Sequence, residues 1–99
     1  MVVDNQALGL VRQWQELFFT KRYSEIDLSD NPDFVRLAEA FGIPGFFVRD
    51  KKDMSKAVDR LLNDPGPLLA HVWVEQAANV WPLVPPGANN ATMLVGEHK

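Results

Sequence analysis

Residues 68–74 form the segment that most limits how this chain can fold. They read LLAHVWV, and the turn-forming cluster NDPGP precedes them at residues 63–67. A continuous apolar run of this length predicts a strand buried on both faces, as in a parallel sheet. Parallel strands need long crossover connections, which are usually helices, so the run favours an α/β fold. We interpret His71 within it as a satisfied, partly buried histidine rather than a catalyst.

A first helix is predicted over about residues 8–20. Apolar side chains recur there at helical spacing, and the polar side chains lie mostly off that stripe. On spacing alone, such a stripe favours contact with a protein core. It consists of Leu10, Val11, Trp14, Leu17 and Phe18.

Two further helices are predicted from their end signals. Asn31 is interpreted as an N-cap, with Pro32 in the first helical position and Gly42 just beyond the end of that helix. Asp50 is interpreted as the cap of the next helix. Residues 21–30 are polar and carry no period, which indicates a loop. The predicted buried stripes are Phe34, Leu37, Ala38 and Phe41 in the second helix, and Met54, Ala57, Val58, Leu61 and Leu62 in the third.

Strands and helices alternate along the chain. Strands are also predicted at residues 2–3 and 46–49, and a tail rich in Pro and Gly begins at residue 75, with a short helical segment near residues 90–95. This order predicts an α/β fold class, a partial doubly wound parallel sheet of about three strands with three helices. Because such sheets usually have more strands, we expect half of a domain. Ligands of these folds bind at the carboxyl ends of the strands.

Charge and composition exclude several classes of function. The formal net charge of −3 gives no basic surface for nucleic acid or for a membrane. There are no cysteines, which excludes disulfides, thiolate metal sites and cysteine nucleophiles. No apolar run approaches the ~20 residues of a membrane-spanning helix, and no signal peptide is recognisable. We expect a cytoplasmic protein that starts directly in a strand, as if cut from a longer chain.

The turn between the first strand and the first helix is the candidate binding site. Asp4 and Asn5 place side-chain oxygens just before a helix N-terminus, where N–H groups and the helix dipole favour a phosphate. Those oxygens also suit Mg²⁺. Asn and Asp in this position are more often plain caps and turn formers. On the residues alone, that structural interpretation is favoured.

Several motifs, taken together, resemble the C-terminal part of the catalytic subunit of the acetolactate synthase family, which uses thiamine diphosphate. The resemblance runs in the right order and spacing from about residue 1 to residue 95. Each motif is weak alone, but their combination is specific. They are Asp4-Asn5-Gln6-Ala7-Leu8-Gly9, Arg12-Gln13-Trp14-Gln15, Arg22-Tyr23-Ser24, Asn31-Pro32-Asp33-Phe34 and Trp81-Pro82-Leu83-Val84-Pro85-Pro86-Gly87.

The resemblance implies a site for thiamine diphosphate and Mg²⁺. In that superfamily a split motif begins with Gly-Asp-Gly and ends with Asn-Asn, and the second Asn and a carbonyl two residues later bind the metal. These ligands correspond to Asn5 and Ala7, and Gly9 and Leu10 are assigned to cofactor binding. The first Asn of the pair is Asp4 here, a mild departure because it is not the ligand. The Gly-Asp-Gly half is absent from this chain, so we expect the chain alone to bind the cofactor poorly.

The resemblance also assigns a substrate pocket and a tail. Trp14 matches a tryptophan that shapes the site for the second 2-keto acid and favours 2-ketobutyrate, although its place on the apolar stripe alone favours plain core. Residues 1–80 correspond to the C-terminal half of a domain for thiamine diphosphate and Mg²⁺. Residues 81–99 correspond to a tail that orders over the active-site mouth, and a floppy terminus is an equal alternative for an isolated chain.

The implied activity is decarboxylation of pyruvate and condensation of the two-carbon unit with pyruvate or 2-ketobutyrate, in branched-chain amino acid synthesis. FAD belongs to a domain that this chain lacks. The implied partners are the rest of the catalytic subunit, a homodimer or tetramer mate, and a regulatory small subunit. The implied compartment is the cytoplasm or, in a eukaryote, a plastid or mitochondrion. The alternative is a non-catalytic α/β remnant that associates with itself or a partner through an exposed strand edge.

Overall fold

The computed structural model describes residues 1–96, which contain an open parallel sheet of three strands. This architecture confirms the predicted fold class, a partial α/β sheet with three helices. The strand order is β1-β3-β2. The elements are β1 (Val2–Asp4), α1 (Gly9–Phe18), α2 (Phe34–Ala40), β2 (Gly45–Val48), α3 (Met54–Asn63) and β3 (Leu69–Trp73).

Strand β3 lies at the centre of the sheet, as its apolar sequence predicts. Ala70, His71 and Val72 are buried, and parallel partners flank the strand on both sides. The register places Asp4, the last residue of β1, opposite Trp73 at the end of β3. Because the strands are parallel, their carboxyl ends share one edge, and Asp4 lies at that edge.

Helices α2 and α3 cover opposite faces of the sheet. Since side chains alternate along a strand, His71 points to the face opposite Ala70 and Val72. The ring of Phe34 in α2 meets the His71 ring edge-on, with 5.1 Å between centroids. On the α3 face, the core consists of Val48, Ala57, Ala70 and Val72, with Phe46, Met54 and Leu61 packed against it.

The apolar stripes predicted for α2 and α3 are only partly buried against the sheet. Ala38 of α2 and Ala57 of α3 are buried, but Phe41 and Leu62 are each 77% exposed. The prediction that the whole stripes are buried is therefore wrong, because three short strands cover only the centre of each helix. The exposed stripe residues are Leu37, Phe41, Val58 and Leu62.

The N-cap of α2 is Asp33, not Asn31. The Asp33 carboxylate accepts hydrogen bonds from the backbone N–H groups of Val35 and Arg36, both at 3.1 Å. The prediction of Asn31 as the cap and Pro32 as the first helical residue is wrong. The amide of Asn31 bonds to the Asp4 side chain instead, so the chain enters the helix later.

Replacing Asp33 by alanine should lower the free energy of unfolding by about 1 kcal/mol, the usual effect of losing an N-cap. Urea denaturation followed by circular dichroism measures this difference. Asp30→Ala is the matched control, because Asp30 is an exposed aspartate three residues upstream, outside the helix. Equal destabilisation by the two variants would contradict the capping role.

The end of α2 follows the prediction, whereas the start of α3 does not. Gly42 follows the helix with a φ of +72°, the left-handed conformation expected just beyond a C-cap. Asp50 makes no capping hydrogen bond, and its carboxylate lies 3.1 Å from Lys52 Nζ. A 3₁₀ turn, Lys51–Asp53, separates Asp50 from α3, so the predicted cap is wrong.

Helix α1 is slightly shorter than predicted. It ends at Phe18 because Thr20 and Lys21 have left-handed φ values of 52° and 58°. The longest helices, α1 and α3, have 10 residues each. Within residues 1–96, no helix is long and apolar enough to cross a membrane.

Helix α1 buries the face opposite to the one that its sequence predicts. Arg12 and Gln13 are only 8% and 0% exposed. Leu10, Val11 and Trp14 on the apolar stripe are exposed. The expectation that this stripe contacts a core is therefore wrong for the described residues. The physical reason is that residues 77–80 of the tail lie on the polar face and satisfy it with hydrogen bonds.

The tail after β3 folds back on itself. Leu83 and Leu94 exchange backbone hydrogen bonds of 2.8 and 2.7 Å, which form an antiparallel bridge. The helical segment predicted near residues 90–95 is a single 3₁₀ turn, Asn90–Thr92. The last residues of the predicted tail, 97–99, lie outside the described part of the chain.

Candidate functional site

The turn after β1 is organised by the side chain of Asp4, which is 7% exposed. Its Oδ1 accepts a hydrogen bond from the Gln6 N–H at 2.8 Å, and its Oδ2 lies 2.9 Å from His71 Nε2. Asn31 Nδ2 donates to Oδ1 at 3.4 Å. Three separate parts of the chain therefore converge on one buried carboxylate.

Burial and hydrogen bonding act in opposite directions on the pKa of Asp4. Desolvation raises the pKa, but hydrogen bonds from His71 and Gln6, the electrostatic effect of His71, and a hydrogen bond from Asn31 together outweigh it. The pKa of the Asp4 carboxyl therefore lies below its ordinary value of 3.8. Asp4 is ionised at neutral pH and remains a hydrogen-bond acceptor for the turn.

His71 is a satisfied histidine, as the sequence predicts, but it is fully and not partly buried. It contacts the Asp4 carboxylate, and the rings of Phe34 and Phe47 meet its imidazole edge-on, at centroid distances of 5.1 and 4.6 Å. These contacts fix the imidazole against β1. His71, in the neighbouring strand β3, therefore stabilises the turn after β1 through its contact with Asp4.

Asn5 and Ala7 form the next part of the turn. Asn5 Oδ1 accepts a hydrogen bond from the Ala7 N–H at 3.2 Å, in an Asx-type turn. Gln6 between them has a φ of +55°, which a residue with a side chain rarely adopts. In the part of the chain that the structure describes, no hydrogen bond is made to the Ala7 carbonyl oxygen. The turn thus offers an amide oxygen and a carbonyl oxygen beside an ionised carboxylate.

Gly9 allows the Asn5 side chain to lie over the start of α1. A Cβ atom at position 9 would lie only 2.6 Å from Asn5 Nδ2, closer than non-bonded atoms approach. The requirement is for space and not for an unusual φ. Glycine at this position therefore determines where the Asn5 amide can sit.

The N-terminus of α1 has no side-chain cap. Leu8 occupies the N-cap position, and the first turn contains no acidic residue. The N–H groups at the helix start, including those of Gly9 and Leu10, lack the usual capping oxygen. An anion placed there would gain hydrogen bonds and a favourable interaction with the helix dipole.

Residues 26–28 run beside this turn and support it. The Leu8 N–H donates to the Ile26 carbonyl at 2.9 Å. The Leu28 N–H donates to the Gln6 carbonyl at 3.0 Å. The sequence predicts this segment only as a loop. Its pairing uses backbone groups, so it produces no periodic pattern of apolar side chains in the sequence.

Trp14 lies on the exposed face of α1, one turn beyond Leu10. It is 37% exposed, and its ring meets the Phe18 ring edge-on at 5.6 Å. With Leu10, Val11 and Phe19 it borders an open apolar depression. Within residues 1–96, Trp14 therefore lies outside the buried core. Its assignment as a wall of the substrate pocket stays a prediction.

The structure brings most of the predicted site residues together. Asn5, Ala7 and Gly9 belong to one turn, and Leu10 and Trp14 follow on the outer face of α1. No group of three His, Cys, Asp or Glu side chains within residues 1–96 could hold a metal ion. The amide and carbonyl oxygens suit Mg²⁺ in kind, but they would fill only part of its octahedral shell.

Known proteins share this sequence over most of its length. Residues 1–72 match the family described as thiamine pyrophosphate enzyme, C-terminal TPP binding domain. The chain is 56% identical over 94 residues to the acetolactate synthase isozyme 2 large subunit of Escherichia coli (strain K12), a match that covers 95% of this chain and 17% of that protein.

Two more distant relatives carry related names. The acetolactate synthase large subunit of Cyanidium caldarium is 39% identical over 94% of this chain and 16% of its own length. The mitochondrial acetolactate synthase of Schizosaccharomyces pombe is 41% identical over 88% of this chain and 13% of its own length. The chain thus spans about one sixth of the length of these relatives. The match over residues 1–72 shows that the chain belongs to the thiamine pyrophosphate enzymes, as part of their C-terminal TPP-binding domain.

Proposed function

We propose that this chain is the part of an acetolactate synthase catalytic subunit that completes the site for thiamine diphosphate and Mg²⁺. Asn5, through its side-chain amide, and Ala7, through its carbonyl, would bind the metal. Gly9 and Leu10 would contribute the start of α1 to the diphosphate. The observation that carries this proposal is the uncapped N-terminus of α1 beside two metal-type oxygens, in a chain of this family.

The chain's own residues would bind the cofactor, hold the turn that contacts it and select the second 2-keto acid. When bound, the cofactor supplies the carbanion chemistry of the reaction. The N–H groups and dipole of α1 would neutralise negative charge on the diphosphate. Asp4 and His71 would hold the turn in its observed shape. Trp14 would form a wall of the pocket for the second 2-keto acid and distinguish side chains by contact, with one methylene worth about 1–3 kcal/mol.

The complete enzyme would decarboxylate pyruvate and condense the two-carbon unit with pyruvate or 2-ketobutyrate, for branched-chain amino acid synthesis. Residues 1–80 would form half of the cofactor domain, and residues 81–99 would cover the active-site mouth. The partners would be the rest of the subunit, which binds FAD, a homodimer or tetramer mate, and a regulatory small subunit. The compartment would be the cytoplasm, or a plastid or mitochondrion in a eukaryote.

A second candidate function is a non-catalytic module that associates with itself or with a partner. Two exposed apolar features favour it. Strand β1 is an edge strand with Val3 exposed, and the apolar stripe of α1 faces away from the rest of residues 1–96. Unpaired strand edges and open apolar surfaces are common association sites.

A chimera separates the two functions. In the chimera, this chain replaces the homologous segment of the Escherichia coli isozyme 2 large subunit. We expect the chimera to form acetolactate from pyruvate in a reaction that needs thiamine diphosphate and Mg²⁺. We expect no cofactor binding by the isolated chain in calorimetric titration with thiamine diphosphate and Mg²⁺. A chimera that folds and assembles but stays inactive would favour the non-catalytic module, and tight binding by the isolated chain would contradict the need for the missing half.

A further inference from the structure

Gln13 makes an unusual contact between α1 and the tail. Its side chain is fully buried, with 0% exposure. Its Nε2 donates to the Val80 carbonyl at 2.8 Å, and its Oε1 accepts from the Val80 N–H at 2.9 Å. Both polar ends of one side chain are therefore paired with both backbone groups of a residue 67 positions away. Buried amides are satisfied in this way because an unpaired polar group is costly.

The neighbouring turns of α1 extend this contact along residues 77–80. Arg12 Nη2 donates to the Ala77 carbonyl at 2.9 Å. Asn79 Nδ2 donates to Glu16 Oε2 at 3.3 Å, and Glu16 also pairs with Arg12. We call the contacts of Arg12, Gln13 and Glu16 with residues 77–80 the tail clamp. They account for the burial of the polar face of the helix.

The tail clamp also determines the direction in which Trp14 points. Consecutive residues of an α-helix are turned by about 100° around the axis. Trp14 is turned by about 100° from Gln13 and by about 160° from Arg12 and Glu16. With these three residues held against residues 77–80, Trp14 lies toward the open side of the helix. Without the clamp, an amphipathic helix would gain by turning its apolar stripe inward.

We propose that Gln13 is a positioning residue: through Val80 it couples the tail to the rotation of α1 and so sets the position of Trp14 in the pocket for the second 2-keto acid. The inference rests on the proposed function for the role of Trp14. It goes beyond that function because it makes the position of Trp14 and the position of the tail depend on the same contact, the tail clamp. Val80 has an exposed side chain, so its backbone is the part that the clamp recognises.

The first experiment measures the clamp in the 99-residue chain by amide hydrogen exchange. Gln13→Met keeps the length of the side chain and removes both hydrogen bonds, and we expect rapid exchange at the Val80 N–H. The matched control is Gln15→Met. Gln15 pairs in the same two-ended way with Ser24, at 3.1 and 3.0 Å, on the same helix but not with the tail. The control should expose the Ser24 N–H and leave Val80 protected.

The second experiment measures specificity in the chimera. With pyruvate and 2-ketobutyrate supplied together, the readout is the ratio of the product formed from 2-ketobutyrate to the product formed from pyruvate. We expect Gln13→Met to lower this ratio about tenfold, the lower end of the range by which apolar pockets distinguish one methylene. Val80→Pro, which removes the same N–H from the tail side, should lower it similarly. The control for this experiment is Asn63→Ala, because Gln15 borders the same depression as Trp14. Asn63→Ala removes an exposed hydrogen bond to Asp59 on α3 and should leave the ratio unchanged.

The outcomes separate this inference from the proposed function. An unchanged product ratio in both Gln13→Met and Val80→Pro would overturn the coupling, as would an equal change in Asn63→Ala. Unchanged exchange at Val80 in Gln13→Met would overturn the clamp itself. If the parent chimera is inactive, the proposed function fails, and loss of Val80 protection would then support only the clamp. Slow exchange of Ala70 and Val72 in β3 shows that each variant is folded.

Discussion

Asp4→Ala is expected to lower the free energy of unfolding by about 3 kcal/mol, the largest stability effect that we expect from a single side chain here. The substitution removes the acceptor of the Gln6 N–H, of His71 and of Asn31 at one buried position. It leaves the imidazole of His71 buried between two aromatic rings without its polar partner. Urea denaturation of the 99-residue chain measures the change.

Asp27→Ala is the matched control for Asp4→Ala. Asp27 forms the same kind of turn, in which Oδ1 accepts the Ser29 N–H at 3.0 Å, but it is exposed. We expect a loss of about 0.5–1 kcal/mol from Asp27→Ala, because its two hydrogen bonds, from the N–H and the hydroxyl of Ser29, are exposed to solvent. If both variants lose the same stability, burial of the Asp4 carboxylate adds nothing, and our account of the turn is wrong.

The same carboxylate predicts how stability depends on pH. The pKa of Asp4 is lowered in the folded chain, so below the ordinary value of 3.8 the unfolded state binds a proton more readily than the folded state. The contribution of Asp4 is therefore complete above that value and is lost as the pH falls through the lowered pKa. Asp4→Asn, which cannot titrate, should show a smaller loss of stability below pH 3.8. An identical pH dependence in the two chains would contradict the lowered pKa.

The sequence predicts the sheet well because the signal for β3 is local and redundant. The apolar run, the turn-forming residues before it and the end of β1 at Asp4 all favour the same parallel arrangement, and the structure has it. Gly42 is similarly determined, since the position after a helix favours left-handed φ. Such features depend on the backbone and on nearest neighbours, which a pattern records.

The sequence fails where a partner distant along the chain decides the outcome. Asn31 is a residue type that often caps helices. Its side-chain amide instead donates a hydrogen bond to Asp4, and Asp33 caps α2. The polar face of α1 is buried because Val80 returns to Gln13 from 67 positions away. Periodicity assigns polar side chains to solvent and cannot anticipate that a backbone segment will satisfy them. The same limitation hides the support that residues 26–28 give to the candidate site.

The candidate site divides in the same way. The residue types of the Asn5–Ala7 turn are recognisable as metal-type oxygens, and the resemblance to acetolactate synthase selects them. Sequence alone gives no sign that Gly9 is needed to seat the Asn5 side chain, because that requirement is a distance across the turn. It becomes visible only when the turn and the first residue of α1 are seen together.

Gly9→Ala should weaken metal-dependent activity without destabilising the chain. The added Cβ would lie 2.6 Å from Asn5 Nδ2, so the flexible amide must move away from its observed position. Alanine itself suits a helix, and we expect the free energy of unfolding to stay within about 1 kcal/mol of the parent. In the chimera, the Mg²⁺ concentration for half-maximal activity should rise about 10–100-fold, as when the support of a metal ligand is lost.

A double-mutant cycle with Asn5→Ala identifies the cause of that effect. If Gly9→Ala acts by displacing the Asn5 amide, it should change nothing further once that amide has been removed, and the double variant should need the same Mg²⁺ concentration as Asn5→Ala. Additive effects of the two substitutions would mean that Gly9 acts through the helix N-terminus or the diphosphate instead. The cycle therefore tests whether Asn5 is a metal ligand. It does so through Gly9, which has no side chain and so cannot itself supply a side-chain ligand.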